Sequence, residues 1–351
     1  MNDLNIAGRD VGPGHPALII AEVAQAHDGS LGLAHAFIDA AAEAGADAVK
    51  FQTHVAAAES TLDEPFRVRF SRQDETRYQY WTRMEFTPEQ WQGLSDHARK
   101  RSLIFLSSPF SLAAVELLQP IGMAAWKVGS GEFASRDLLR AMAATGAPIL
   151  FSTGMAKRAE IADAVAFFRA EGAPYGLMQC TSAYPTPLEA VGLNVIDELR
   201  EAFHCPVGLS DHSGSIFPPL AALARGADIV EVHVAFHRQM FGPDVPASLI
   251  FDELKLVCGM RDALNTMDSH PVDKDAMAEK LLGTREVFGK SLAPVRALAE
   301  GTVLRPEMVV SRKPGGGIPP DAIELISGRR LARDVVPDRI LRWNDLMEDG
   351  A

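Results

Sequence analysis

Cysteine is scarce in this sequence, and so are tyrosine and tryptophan: three Cys, four Tyr and four Trp in 351 residues. Cys180, Cys205 and Cys258 show no metal-type spacing and make no even disulfide framework, which fits a reducing compartment. Positive charge is short as well. A formal net charge of -12 argues against a nucleic-acid partner, because phosphate backbones recruit basic faces. It leaves room for a small anionic substrate, since a few lysines inside a cleft override net charge. No apolar run nears the roughly 20 residues that span a bilayer. Met1 to Pro16 is polar and rich in Gly and Pro, without the basic-then-apolar order of a signal peptide. A soluble, cytoplasmic protein is expected, with no nucleic-acid or membrane partner.

What is present is alternation. Apolar runs of strand length at Ala17-Glu22, Asp47-Gln52, Leu103-Ser107, Ala124-Gly129, Pro148-Ser152, Tyr175-Cys180, Val207-Ser210 and Ile229-Val234 are each followed by a helical pattern. Gly45 is the C-terminal stop of the first helix, and Thr87-Pro88-Glu89 starts a later one. Eight strand–helix units in about 250 residues predict a parallel (β/α)8 TIM barrel, with a doubly wound open sheet as the alternative. The expected divisions are 1–266 for the barrel, 267–286 for a linker or short helix, and 287–351 for a small β-rich domain. In that last part Glu300-Gly301-Thr302-Val303-Leu304-Arg305 and Pro337-Asp338-Arg339-Ile340-Leu341-Arg342 look loosely repeated. Residues 53–86 make one long loop, rich in charge and aromatics, that reads as a lid or a subunit contact.

In a barrel, functional groups gather at the C-terminal ends of the strands, and each strand here delivers polar residues there. Glu22 ends the first; Lys50 and Gln52 belong to the second. The fourth runs into Lys127-Val128-Gly129-Ser130-Gly131-Glu132, where a lysine, a hydroxyl, turn N–H groups and a carboxylate suit an anionic, phosphate-like ligand. Ser152, Ser182 and Ser210 add hydroxyl donors. Lys50 and Lys127 lie within apolar runs, where an unpaired lysine would have to snorkel; with the serines they fit a ligand carrying phosphate and carboxylate. His212 and His233 could converge on one divalent metal with a carboxylate nearby, or each could only hydrogen-bond locally. Glu231 stands two residues before His233, on the same strand face.

These stretches, with Ile19-Ile20-Ala21-Glu22-Val23, Lys50-Phe51-Gln52-Thr53-His54, Ser152-Thr153-Gly154-Met155, Gln179-Cys180-Thr181-Ser182-Ala183-Tyr184-Pro185, Gly208-Leu209-Ser210-Asp211-His212 and Gly242-Pro243-Asp244, resemble the sialic acid (nonulosonic acid) synthases. Gly301-Thr302-Val303-Leu304 and Lys313-Pro314-Gly315 resemble their antifreeze-like (SAF) domain. The resemblance implies condensation of phosphoenolpyruvate with an N-acylmannosamine-type aldehyde, with Mn2+ as the first expectation and Mg2+ or Co2+ as alternatives. It implies metal ligation by His212 and His233, and phosphoenolpyruvate contacts from Lys50, Lys127, Ser130, Ser152 and Ser210. Glu22, Gln52, Tyr184 and Asp244 would surround the sugar and metal, with Glu132 or Glu231 activating water. It also implies a domain-swapped homodimer in which the small domain offers an arginine to the partner's sugar. Several positions depart from the pattern: Ala26 replaces an asparagine, Ser182 stands where some members have asparagine, and Arg312-Lys313 replaces the usual arginine register. A Schiff-base aldolase or lyase using Lys127, and a non-catalytic sugar-binding homologue, are the competing readings.

Overall fold

The computed structural model describes residues 3–348. The chain divides into two compact units, Met1–Ser269 and His270–Ala351. The first opens with an antiparallel hairpin, β1 (Leu4–Ile6) and β2 (Arg9–Val11). Eight parallel strands follow: β3 (Leu18–Ala24), β4 (Ala48–Thr53), β5 (Ile104–Pro109), β6 (Trp126–Val128), β7 (Ile149–Ser152), β8 (Tyr175–Cys180), β9 (Val207–Asp211) and β10 (Ile229–Ala235). Neighbours in the chain are neighbours in the sheet, and β10 pairs with both β9 and β3. That last pairing closes the barrel and rules out the open doubly wound sheet. A short β11 (Ser248–Ile250) runs beside the end of β10.

The outer layer is α1 (Leu31–Ala44), α4 (Pro88–Lys100), α5 (Leu112–Leu118), α6 (Arg136–Ala143), α7 (Arg158–Ala170), α8 (Leu193–Phe203), α9 (Phe217–Ala224) and α10 (Phe251–Asp268), while α2 (Ala56–Glu59) and α3 (Arg77–Met84) lie within the long loop. Local chemistry sets their ends. The Ser30 side chain accepts from Leu33 N at the start of α1, and Gly45, at φ 85°, ends it with its N–H on the last carbonyls. Thr87 and Gln90 form a capping box at α4, with Pro88 in its first turn.

Period-two alternation sorts the strands into two faces. Outward residues such as Ile19, Val49, Phe51, Trp126, Phe151, Leu177 and Val232 pack under the helices as the main core. Inward residues near the strand starts, Leu18, Ile20, Ala48, Leu106, Ala125, Leu150, Met178 and Ile229, form a second core. Leu4, Ile6 and Val11 of the hairpin belong to that inner core. The polar N-terminal stretch therefore plugs the barrel floor.

The second unit contains α11 (Lys274–Lys280) and α12 (Leu282–Phe288), so the expected linker stretch is largely helical and the units divide at 269. Beyond it, β12 (Ser291–Pro294) pairs antiparallel with β13 (Val309–Arg312), and α13 (Ile323–Ile326) follows. Leu304 and Leu341, from the two loosely repeated stretches, are both buried in its core.

Candidate active site

At the C-terminal ends of the strands the inward positions change from apolar to charged. Glu22, Lys50, Lys127 and Glu231 are all buried there, around a cavity of about 300 Å³. Burying four charges is tolerable only if they pair, and they do. Lys50 Nζ lies 2.6 Å from Glu22 Oε2 and 3.6 Å from Glu231 Oε1. Lys127 Nζ lies 3.4 Å from the same Glu231 oxygen and donates to Ser152 Oγ at 2.6 Å. Ser210 Oγ donates to Glu231 Oε1 at 3.2 Å, and Lys50 donates to Ser108 Oγ at 3.3 Å. Glu231 Oε2 is buried with no hydrogen-bond partner among the described residues. Two ammonium groups and two hydroxyls thus converge beside an oxygen left unpaired.

The pairing splits the two carboxyls. Burial pushes Glu22 up to about 7, with Lys50 opposing. Glu231 is also penalised by burial, but Lys127 and Lys50 together outweigh it and pull it down to about 2. Lys50 is held above its ordinary value, because Glu22 and Glu231 outweigh the cost of burying its charge. At neutral pH Glu231 is an anion and Glu22 is poised to hold or release a proton.

Beside this ionic layer, His212 and His233 face each other with ring centroids 5.1 Å apart. Burial lowers both to about 3, so both imidazoles are neutral, as metal ligands must be. His212 Nε2 lies 3.0 Å from the Tyr184 hydroxyl. Among the described residues, no group of three or more His, Cys, Asp and Glu is arranged to hold a metal ion. The protein offers two nitrogen donors, which fits a divalent ion completing its shell with water and substrate oxygens.

Ser130 and Ser182 flank Gly154. A Cβ there would stand 2.7 Å from Ser182 Oγ, 2.8 Å from Ser130 Oγ and 2.9 Å from Cys180 Sγ, so only glycine lets these three groups close around the loop. Gln52 Nε2 donates to Glu22 Oε1 at 3.0 Å. Asp244 and Tyr184 also line the cavity.

Of the other expected site residues, one is off this cavity and two belong to the second unit. Glu132 sits in the turn after β6, half-buried, where its carboxylate accepts from Ser135 Oγ at 2.8 Å; it does not line the cavity. Arg312 and Lys313 belong to the second unit: Arg312 Nη1 donates to Pro337 O at 2.7 Å, and Lys313 Nζ lies 5.6 Å from the Phe288 ring centroid.

Other lining residues were not foreseen. Arg67, in the 53–86 loop, lies with its guanidinium 4.0 Å from the Tyr184 ring centroid and 2.7 Å from Asp244 Oδ1. Phe66, Phe70, Tyr80 and Trp81 join it over the cavity, so the loop is a cover within this chain. Phe110 and Gln25 also line the wall. The only signal for Arg67 was the loop's length and its mix of charge and aromatics.

Known proteins resemble this chain along most of its length. The N,N'-diacetyllegionaminic acid synthase of Campylobacter jejuni is 32% identical over 331 residues, 93% of this chain and 98% of that protein. The human N-acetylneuraminate-9-phosphate synthase is 31% identical over 341 residues, 95% of this chain and 94% of that protein. The crystal structure of an N-acetylneuraminic acid synthetase from Leptospira borgpetersenii, in complex with citrate, superposes with TM-score 0.70 at 28% identity, covering 82% of this chain and 97% of that one. A SAF domain matches residues 289–347. The NeuB family model matches residues 37–271, and the chain belongs to the NeuB family.

Proposed function

We propose that this protein condenses phosphoenolpyruvate with an N-acylmannosamine-type aldehyde, giving a nonulosonic acid and phosphate. The observation that carries this reading is the buried layer of Lys50, Lys127, Glu22 and Glu231 beside two neutral imidazoles. A ligand with a phosphate and a carboxylate replaces the two glutamates as partner of the lysines, with Ser152 and Ser210 as further donors. C3 of phosphoenolpyruvate forms the new bond to the aldehyde carbon, and the aldehyde oxygen takes up a proton. Glu22, poised near neutrality, is the chain's own group for that proton. Water adds at C2, the C–O bond to phosphate breaks, and phosphate leaves with that oxygen. Glu231, anionic and with one oxygen unpaired, takes the proton of that water in this proposal. Glu132, off the cavity, is the weaker choice.

A divalent ion on His212 and His233, Mn2+ first, would supply Lewis-acid polarisation of the aldehyde. A cytoplasmic homodimer, with Arg312 or Lys313 reaching the partner's site, belongs to the same proposal and is supported by the family resemblance alone. Phosphate release from phosphoenolpyruvate with Mn2+ and a panel of N-acylmannosamines and related aldehydes tests the activity; no release with any acceptor sinks it. The Schiff-base reading is disfavoured by Lys127's ties to Glu231 and Ser152, and borohydride with pyruvate should leave no adduct.

A further inference from the structure

The end of β3 is interrupted by a bulge. Its register against β4 shifts between Glu22 and Ala24, and Ala24 adopts φ 47°, a left-handed conformation costly to any residue with a Cβ. Bulges beside active sites re-aim side chains, and the residue that follows is Gln25, buried yet lining the cavity. Its amide nitrogen lies 2.8 Å from His54 Nε2 and also donates to Gln52 Oε1. His54 Nδ1 in turn lies 2.6 Å from Glu59 Oε1, and Gln52 Nε2 donates to Glu22 Oε1 at 3.0 Å. The His54 ring is stacked between Trp81 and Phe110, with centroids 3.9 and 4.7 Å away.

With Glu22 ionised, a carboxylate at each end sets the direction of the bonds in this chain. Glu59 takes the proton of His54 Nδ1, so Nε2 is left with a lone pair. Glu22 takes an amide hydrogen of Gln52, so the Gln52 carbonyl turns to Gln25. Both hydrogens of the Gln25 amide are thereby used by the protein, and its carbonyl oxygen is what remains for a ligand. Gln52 stands two residues beyond Lys50 on β4, and Gln25 three beyond Glu22. The pair therefore lies on the mouth side of the lysines, above the anion-binding groups.

We infer that Gln25 is a specificity-determining residue for the acceptor, its carbonyl oxygen selecting an aldehyde sugar that presents a hydroxyl or N-acyl N–H donor to the β3 side of the cavity. The inference rests on the proposed condensation and deepens it. A buried acceptor built for a donor rejects a ligand lacking one, because the oxygen is then left unpaired.

The test is initial-rate phosphate release from phosphoenolpyruvate with Mn2+, using N-acetylmannosamine, its 4- and 6-deoxy counterparts and 2-deoxyglucose, which lacks the N-acyl group, on wild type and Gln25→Met. The variant keeps the side-chain length and removes the amide, its oxygen together with the N–H donors to Gln52 and His54. Its KM for N-acetylmannosamine should rise about tenfold while that for phosphoenolpyruvate stays within about twofold, which also shows that the site is folded. One deoxy sugar should lose that factor on wild type and nothing further on Gln25→Met. Glu59→Gln, outside the cavity, should move the same KM in the same direction by less. An unchanged acceptor KM, an equal rise in both KM values, or a loss shared by every deoxy sugar on both proteins overturns the inference. A wild type that releases no phosphate with these sugars or with the wider acceptor panel overturns the proposed function, and this inference with it.

Discussion

The two ends of one set of strands carry opposite chemistry. Near their starts the inward residues are Leu18, Ile20, Ala48, Leu150 and Met178, sealed by Leu4, Ile6 and Val11 of the hairpin. A few residues later the same faces carry Glu22, Lys50, Lys127, Ser152 and Glu231. Stability and chemistry are thus assigned to different heights of one barrel. The floor is apolar and buried, and it holds the strands while the upper end carries charges whose burial is costly.

The sharpest way to break that division is at the top. Lys127→Met should lower kcat/KM for phosphoenolpyruvate at least about a hundredfold, as loss of a preorganised charge does; steady-state kinetics reads it. At the floor, Ile6→Ala removes a fully buried side chain and should cost about 2–5 kcal/mol of stability. Denaturant unfolding measures that loss, and kcat well below the melting range should be retained. Equal damage to kcat in both variants would dissolve the contrast.

Glu22 sharpens the comparison through pH. Its folded value of about 7 exceeds the ordinary 4.5, so the folded protein holds a proton that the unfolded chain releases over this interval. Its contribution to stability is complete below pH 4.5 and is lost as pH rises through 7. Between pH 5 and pH 8 wild type should therefore lose stability relative to Glu22→Gln, by on the order of 3 kcal/mol, in paired unfolding curves. The smallest effect belongs to Glu132→Gln, which should change kcat by no more than about twofold if Glu231 takes the water's proton, since Glu132 is engaged with Ser135 outside the cavity.

Most of the barrel was legible because its signals are local. Each expected strand falls within one or two residues of the observed one, and Tyr175–Cys180 coincides. The lysines and histidines were legible because a polar group inside an apolar run at a strand end is costly to bury unless a partner or a ligand meets it. The hairpin was not, because Leu4, Ile6 and Val11 are isolated apolar residues whose burial depends on the barrel above them. Glu132 misled because the chain leaves the strand direction at Ser130 and winds into a tight turn, carrying the carboxylate toward Ser135. Gln25 was hidden because a one-residue bulge reverses which side chains point inward, and nothing in an Ala-Gln-Ala stretch announces it.

The plugged floor has a consequence for traffic. A barrel stopped at one end is a cul-de-sac: everything that enters must leave by the same mouth, under the 53–86 cover. The lysines lie deep and Arg67 lies at the exposed rim. The expected order is anion first and sugar second. A sugar seated first would close the corridor on an empty chamber, so excess acceptor should slow turnover at low phosphoenolpyruvate, and a surplus of phosphoenolpyruvate should lift the blockade.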